Sequence, residues 1–250
     1  MTDTHPHDPL PPWWRAKIAL IIPSPSMVTF LEQQALCPEG VAVLHTRVML
    51  KETTPEALSK LSEEACYAAE LLASAKPDVI SYTCTSSAFI KGAEYERTMI
   101  QKMEGITGIT TTSMATSVIE ALRSLTIKKV VVVAPYLKTI TEVEEKYLGS
   151  FGFEVVHSET LGIVKPAAIT ERSPQENYDF ALNAFRKAPD ADAVFISCGG
   201  LRTVDIIGDL ERVIGKPVLS SNQCNAWMCL KLAGIHEPIH RYGSLLANER

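Results

Sequence analysis

The sequence predicts an α/β protein of two similar halves, each a mainly parallel sheet flanked by helices, with an active site between them. Three observations carry this. Apolar strand-like runs alternate with helix-like segments along the whole chain, as they do when parallel strands are covered on both faces. The frame repeats: Lys17–Pro23 (KIALIIP) matches Lys129–Pro135 (KVVVVAP) at an offset of 112, and Gly108–Leu122 resembles Gly215–Leu230 at a similar offset. Two strand-like runs, Val79–Thr83 and Ala193–Ser197, each end in a cysteine, Cys84 and Cys198, 114 positions apart.

Each element has a local reason. Residues 1–15 are rich in Pro, His and Asp and read as a tail ending near Trp13-Trp14. Lys17–Ile22 is the first strand, and the turn Pro23-Ser24-Pro25-Ser26 combines two fixed φ angles with two hydroxyls. A short helix spans Met27–Leu36 and a strand Val41–Val48. Thr54 as N-cap and Pro55 at the first helical position open a long helix to about Ser74. Its apolar positions recur at spacings of three and four. The strand Asp78–Thr83 delivers Cys84, and a helix from about Ser87 to Met103 follows. A short strand Ile109–Thr112 and a helix Thr116–Ser124 complete the first half, residues 16–126. The second half, residues 127–250, restarts with Val130–Ala134 and Pro135-Tyr136. A helix Thr139–Ser150, a strand Phe153–Thr160, a loop Lys165–Ser173 and a helix Pro174–Lys187 come next. Ala193–Ser197 then delivers Cys198, before a helix Thr203–Ile214, a strand Pro217–Ser220 and a last helix Asn222–Leu232, with a crossover of the C-terminal helix to the first half allowed.

Composition narrows the function classes. Hydrophobic residues make up 46% and charged residues 21%, and the net charge is −5. These values suit a soluble globular protein and argue against nucleic acid or anionic membrane as a main partner. No apolar run approaches the ~20 residues that span a bilayer, and the N-terminus lacks the charged and apolar regions of a secretory signal. Six cysteines without framework spacing suggest reduced thiols and a cytoplasmic protein.

Several motifs fall away on inspection. His236-Glu237-Pro238-Ile239-His240 matches H-E-x-x-H, but Pro238 opposes the helix on which that pattern binds zinc. No metal site is expected. Cys224 and Cys229 are five apart and do not share a helix face. The sequence has no C-x-x-C pair, P-loop, strand-following G-x-G-x-x-G or G-x-S-x-G elbow, so no nucleotide, nicotinamide or other cofactor is expected.

The strand-end cysteines carry the chemistry. A lone cysteine is most often a small buried apolar residue. Two at matching strand ends, where α/β folds bind ligands, point to a site. Cys198 is followed by Gly199-Gly200, which let backbone N–H groups approach a ligand, and Cys84 by the hydroxyls Thr85-Ser86-Ser87. The helix expected after each cysteine would stabilise a thiolate. One thiolate can take a proton or attack an electron-poor carbon while the opposed thiol donates a proton. That chemistry serves racemisation, cis–trans isomerisation, or decarboxylation with proton delivery on a small carboxylate.

These residues carry a resemblance. The paired cysteines resemble the aspartate/glutamate/hydantoin racemase superfamily. The stretch SCGGLRT followed by LERVIGKPVLSSNQCNAW resembles its branch of maleate cis–trans isomerases and arylmalonate decarboxylases. The match is strongest over Asp192–Gly234, with support from Lys17–Ser26, Asp78–Gly92 and Val130–Tyr136. The resemblance implies Cys84 as a nucleophile that adds to a double bond, and Cys198 as proton donor or acceptor. It implies Thr85, Ser86, Gly199 and Gly200 as carboxylate holders and Tyr136 as a hydrogen-bonding partner of substrate. Ser26 stands where maleate isomerases usually carry an asparagine, and Leu161–Pro166 lacks a second one. Both departures widen the expected substrate to other mono- or dicarboxylates, with Lys165 a candidate anion partner. Arylmalonate decarboxylases typically carry glycine at the first cysteine position, so the presence of both thiols favours an isomerase or racemase. Maleate to fumarate is the expected reaction. The alternatives are an arylmalonate-type decarboxylase, an amino-acid or hydantoin racemase, and a non-catalytic carboxylate-binding protein. The resemblance also implies a homodimer or higher homo-oligomer.

Overall fold

The computed structural model describes residues 13–61 and 64–248. In the first half, β1 (Ala16–Pro23), β2 (Val41–Val48), β3 (Val79–Tyr82) and β4 (Thr110–Ser113) form a parallel sheet of order β2-β1-β3-β4. In the second half, β5 (Lys129–Ala134), β6 (Glu154–Thr160), β7 (Ala193–Ile196) and β8 (Val218–Ser220) repeat it as β6-β5-β7-β8, again parallel. In both sheets the order reverses beside the first strand, and the carboxyl ends at that reversal form a crevice suited to ligands.

Period-two alternation assigns the strand faces. Ile18, Leu20 and Ile22 of β1 join Val130 and Val132 of β5 in one core shared by the halves. Ala19 and Ile21 face a second core under the first sheet, and Val131 and Val133 a third under the second. Two helices fill the shared core: α6 (Met114–Ser124), which follows β4, and α11 (Ser221–Leu232), which follows β8. After leaving the second sheet, α11 packs on α6, on β3 and on α1 (Val28–Leu36). Nine of its twelve residues are buried, so it carries no amphipathic stripe. Its polar members are bonded instead: Gln223 Nε2 donates to the Tyr242 carbonyl at 2.6 Å, and Ser81 Oγ to Asn225 Oδ1 at 2.5 Å.

Several helices differ from expectation. The segment from Thr54 to Ser74 holds two helices, α2 (Pro55–Leu61) and α3 (Ala65–Ala73). The helix after Cys84 begins at once as α4 (Thr85–Lys91), and Gly92, at φ +82°, separates it from α5 (Ala93–Thr107). The expected loop at Lys165 contains α8 (Pro166–Thr170), with proline in its first turn. The helix expected from Thr203 starts only at Ile207, as α10 (Ile207–Ile214), and the Thr203 and Val204 N–H groups ahead of it donate to Glu32 of α1. The remaining helices are α7 (Lys138–Ser150), α9 (Pro174–Lys187) and α12 (Ser244–Ala247), the last not foreseen from sequence.

Residues 1–12 of the expected tail lie outside the described residues. At its end the Trp14 indole covers Gly40, where a Cβ would come within 2.5 Å of the ring. No helix among the described residues is long and apolar enough to cross a membrane.

Candidate active site

Four strand ends meet at one pocket. β1 supplies Pro23, Pro25 and Ser26, β3 supplies Thr83–Ser86, β5 supplies Tyr136, and β7 supplies Cys198–Gly200. The pocket encloses about 450 Å³ out to its mouth. All eight residues expected from sequence line it: Cys84, Cys198, Ser26, Thr85, Ser86, Tyr136, Gly199 and Gly200. Lys165 does not. It is exposed at the N-cap of α8. No Lys, Arg, His, Asp or Glu is among the lining residues, so an anion here would be met by hydroxyls, thiols and N–H groups.

Each thiol sits in a defined local geometry. Cys84 is the N-cap of α4. It is buried, with Ser86 Oγ 3.9 Å from its sulfur and the Ser87 N–H directed at it. Cys198 adopts φ +99°, a region that residues with a Cβ rarely occupy and that clusters at functional sites. The Gly200 N–H donates to its sulfur at 3.3 Å, and the Tyr136 hydroxyl reaches it from β5. Both neighbours leave little room for a side chain, Gly199 least. A Cβ at Gly199 would lie 2.6 Å from Thr29 Oγ1, and one at Gly200 would lie 3.1 Å from Ile169 Cγ2.

Ser221, the first residue of α11, joins the two thiol segments. Its Oγ accepts from the Cys198 N–H at 3.0 Å and from the Thr85 hydroxyl at 3.1 Å. Around Gly199 a second set of bonds closes. Thr29 Oγ1 and Asn222 Nδ2 both donate to the Gly199 carbonyl, at 2.9 and 3.0 Å, and Ser26 Oγ lies 2.9 Å from Thr29 Oγ1. Arg47 Nη1 donates to the Ser24 and Ser26 carbonyls at 2.7 and 2.9 Å, which fixes the turn after β1. Sequence reasoning missed Ser221, Thr29, Asn222 and Arg47, and missed the wall formed by Leu50, Pro166 and Ile169. Pro166 was the available signal for α8. The others act through tertiary contacts.

Burial, rather than a helix terminus, dominates the ionisation of both thiols and disfavours the thiolates, which corrects the expectation from helix dipoles. Burial pushes Cys84 up to about 12. Burial also raises Cys198, against the lowering effect of the Gly200 N–H and the Tyr136 hydroxyl. The helix after Cys198 begins only at Ile207, too far for its terminus to act. Desolvation outweighs a short helix at Cys84 and an absent one at Cys198. Iodoacetamide is therefore expected to label both thiols slowly at pH 7, with rates still climbing above pH 9 and Cys198 ahead of Cys84. Peptide mass spectrometry at each pH reads this, and a labelling plateau below pH 8 would contradict it.

Two pseudo-equivalent α/β lobes, each bringing a strand-end thiol to a shared pocket, form the Asp/Glu racemase-like architecture. A family model described as arylmalonate decarboxylase matches residues 18–246, and the chain belongs to that enzyme family. It is 29% identical over 217 residues to the arylmalonate decarboxylase of Bordetella bronchiseptica, covering 87% of this chain and 90% of that one. It is 26% identical over 247 residues to the maleate isomerase of Geobacillus stearothermophilus, covering 93% and 98%. Among solved structures, a liganded double mutant of arylmalonate decarboxylase superposes with a TM-score of 0.87 at 28% identity, covering 92% of this chain and 98% of that one.

Proposed function

We propose that the chain is a cofactor-independent two-thiol isomerase of a small carboxylate, with maleate to fumarate as the reaction to test first. The observation that carries the reading is the meeting of Cys84 and Cys198, from equivalent strand ends, in a pocket lined by hydroxyls and glycine backbone. A decarboxylase that protonates its intermediate from one thiol has no use for the second. The kinship to maleate isomerases over nearly the whole chain supports the same reading.

The chemistry closes as follows. Cys84 first gives up its proton to water, against the burial that holds it protonated, and its thiolate then attacks one alkene carbon while the electron pair of the double bond moves toward the adjoining carboxylate. Cys198 gives its proton to the other carbon, leaving a thioether with a C–C single bond that rotates. Cys198, now a thiolate, takes a proton back from that carbon, the C–S bond breaks toward Cys84, and the trans alkene forms. Burial keeps Cys198 protonated until the step that needs its proton. Thr85, Ser86 and the Gly199-Gly200 segment hold the carboxylate whose charge grows during addition. The Tyr136 hydroxyl beside the Cys198 sulfur supports that thiolate when it forms.

Proton NMR of maleate in deuterated buffer tests this with the wild type, Cys84→Ala and Cys198→Ala. Fumarate is expected only with both thiols present. Fumarate from either variant at the wild-type rate would overturn the reading.

One observation favours a second reading. Leu50, Pro23, Pro25, Pro166 and Ile169 give the pocket an apolar wall that suits an aryl or alkyl substituent, as on an arylmalonate. That reading expects loss of a carboxylate from arylmalonates, a reaction that survives Cys84→Ser and disappears with Cys198→Ser.

A further inference from the structure

Behind Cys198 lies a carboxyl group that the reaction above does not use. Glu144, on α7, has no solvent exposure. Neither of its oxygens has a hydrogen-bond partner, and neither do Thr141 Oγ1, one turn earlier on the same helix, and Ser197 Oγ. Ser197 precedes Cys198 in the chain. Its hydroxyl neighbours both the Glu144 carboxyl and the Tyr136 hydroxyl, and Tyr136 in turn neighbours the Cys198 sulfur. These groups are close enough to act on one another's ionisation, and at Ser197 they stop short of standard hydrogen-bond geometry. They form a row from the core to the pocket: Glu144, Ser197, Tyr136, Cys198.

The repeat gives this unpartnered carboxyl a twin that is a structural clasp. At the offset of 112, Glu144 is the twin of Glu32. Glu32 receives four hydrogen bonds, from the Thr203 and Val204 N–H groups, the Thr203 hydroxyl and the Asn222 amide. Those donors are available because the second half delays its helix to Ile207. After Cys84 the helix starts immediately at Thr85, so the matching N–H groups, at Phe89 and Ile90, are committed within α4. Glu144 is left as a fully buried acid aimed at the residue beside a thiol.

We propose that Glu144 is a positioning residue for Cys198: through Ser197 and Tyr136 its carboxyl decides which way the hydroxyl protons point, and so how readily Cys198 holds negative charge. Ser197 has one proton to donate. When Glu144 is neutral, that proton goes to Tyr136, and the Tyr136 proton goes to the Cys198 thiolate. When Glu144 is ionised, it claims the Ser197 proton, and a buried negative charge opposes a second one at Cys198. Burial raises the Glu144 carboxyl to about 8, so the neutral form predominates at neutral pH and the ionised form above that value.

Other titratable groups surround α7. Glu142, Glu145 and Lys146 are on the helix itself, and Cys84 and Lys91 flank α4. Glu154, His157 and Glu159 lie on β6, and Glu96 of α5 accepts from the Tyr147 hydroxyl. Of these, Glu145 adds its charge to the effect of burial on Glu144, while Tyr136 and Cys198 each feel Glu144 in return.

The proposal rests on Cys198 as an acting thiol, so its test needs no substrate. In a Cys84→Ser background, Cys198 alkylation by iodoacetamide is followed by mass spectrometry from pH 6 to 10, with Glu144 and with Glu144→Gln. The profiles are expected to coincide below pH 7 and to separate above about 8. There the Gln variant reacts ~10-fold faster, equivalent to one pKa unit. Ser197→Ala is expected to move the rate the opposite way, since Tyr136 loses its donor, whereas general loosening would speed both variants alike. Coincident Glu and Gln profiles throughout, or faster alkylation in Ser197→Ala, would overturn the proposal. If Glu144→Gln does not fold, the profile with Glu144 decides: a bend near pH 8 supports it and a single unbent titration overturns it. A missing isomerase activity would leave these outcomes unchanged, which separates this inference from the choice of reaction.

Discussion

Ser221→Ala is expected to lower turnover by ~100-fold while the chain still folds. The Ser221 hydroxyl is the acceptor for the Cys198 N–H and for the Thr85 hydroxyl, so it ties the two thiol-bearing loops to the first turn of α11. Removing it leaves a backbone N–H without its acceptor, at a cost of ~1–3 kcal/mol. The loss falls where the chain is already strained, since Cys198 holds φ +99° and a residue with a Cβ relaxes from that region when released. A shift of ~1 Å at a reacting atom is enough to remove about two orders of magnitude in rate. Initial rates and a melting curve on the same preparation check this. A fall in melting temperature of a few to ~10 °C is expected from that energy, together with the loss in kcat. Ser221→Thr, which keeps the oxygen, is expected to recover most of the rate if the added methyl fits. Wild-type kcat in Ser221→Ala would show that the strained Cys198 conformation is held by other contacts.

Much of the architecture was legible because the chain states it twice. The match of Lys17–Pro23 with Lys129–Pro135 reappears as β1 and β5, each central in a sheet of the same order. The placement of Cys84 and Cys198 followed from strand ends, and both reach one pocket. Where expectation and structure part, tertiary forces outweighed local ones. Thr203 looked like a helix start, yet its N–H is taken by Glu32 from the other half. The thiols looked activated by helix termini, yet burial dominates both. The burial of α11 was not legible either, since nothing in the sequence marks the polar Asn222, Gln223 and Asn225 as buried until their partners on other elements are known. The Glu32 and Glu144 pairing was present in the repeat. Its meaning depends on where the following helix begins, and that is decided by contacts across the halves.

Glu32→Ala is expected to produce the largest loss of stability. The carboxylate gathers the Thr203 and Val204 N–H groups at 2.5 and 3.0 Å, the Thr203 hydroxyl at 3.0 Å and the Asn222 amide at 2.6 Å. Truncation leaves two buried backbone donors and an amide without that acceptor. At ~1–3 kcal/mol for each group left unpaired, and with partial relaxation, the cost is roughly 3–5 kcal/mol. For a chain of this size that corresponds to a drop of ~10–15 °C in melting temperature. The pH dependence carries the sign of the shift. Burial raises the Glu32 carboxyl above its ordinary 4.5, outweighing the four hydrogen bonds that lower it, so the folded state holds the Glu32 proton more tightly than the unfolded chain does. Its contribution is then fully present below pH 4.5 and is lost as pH rises through the folded value. Glu32→Gln cannot titrate. The difference in melting temperature between wild type and Glu32→Gln is therefore expected to shift in favour of wild type as pH falls through the raised folded value toward 4.5. A constant difference across that range would mean that Glu32 binds no extra proton on folding and that its four donors hold it ionised. Either way the site feels the change, because the Asn222 amide that meets Glu32 also holds the Gly199 carbonyl, and the loop carrying Cys198 is only as well placed as that carbonyl.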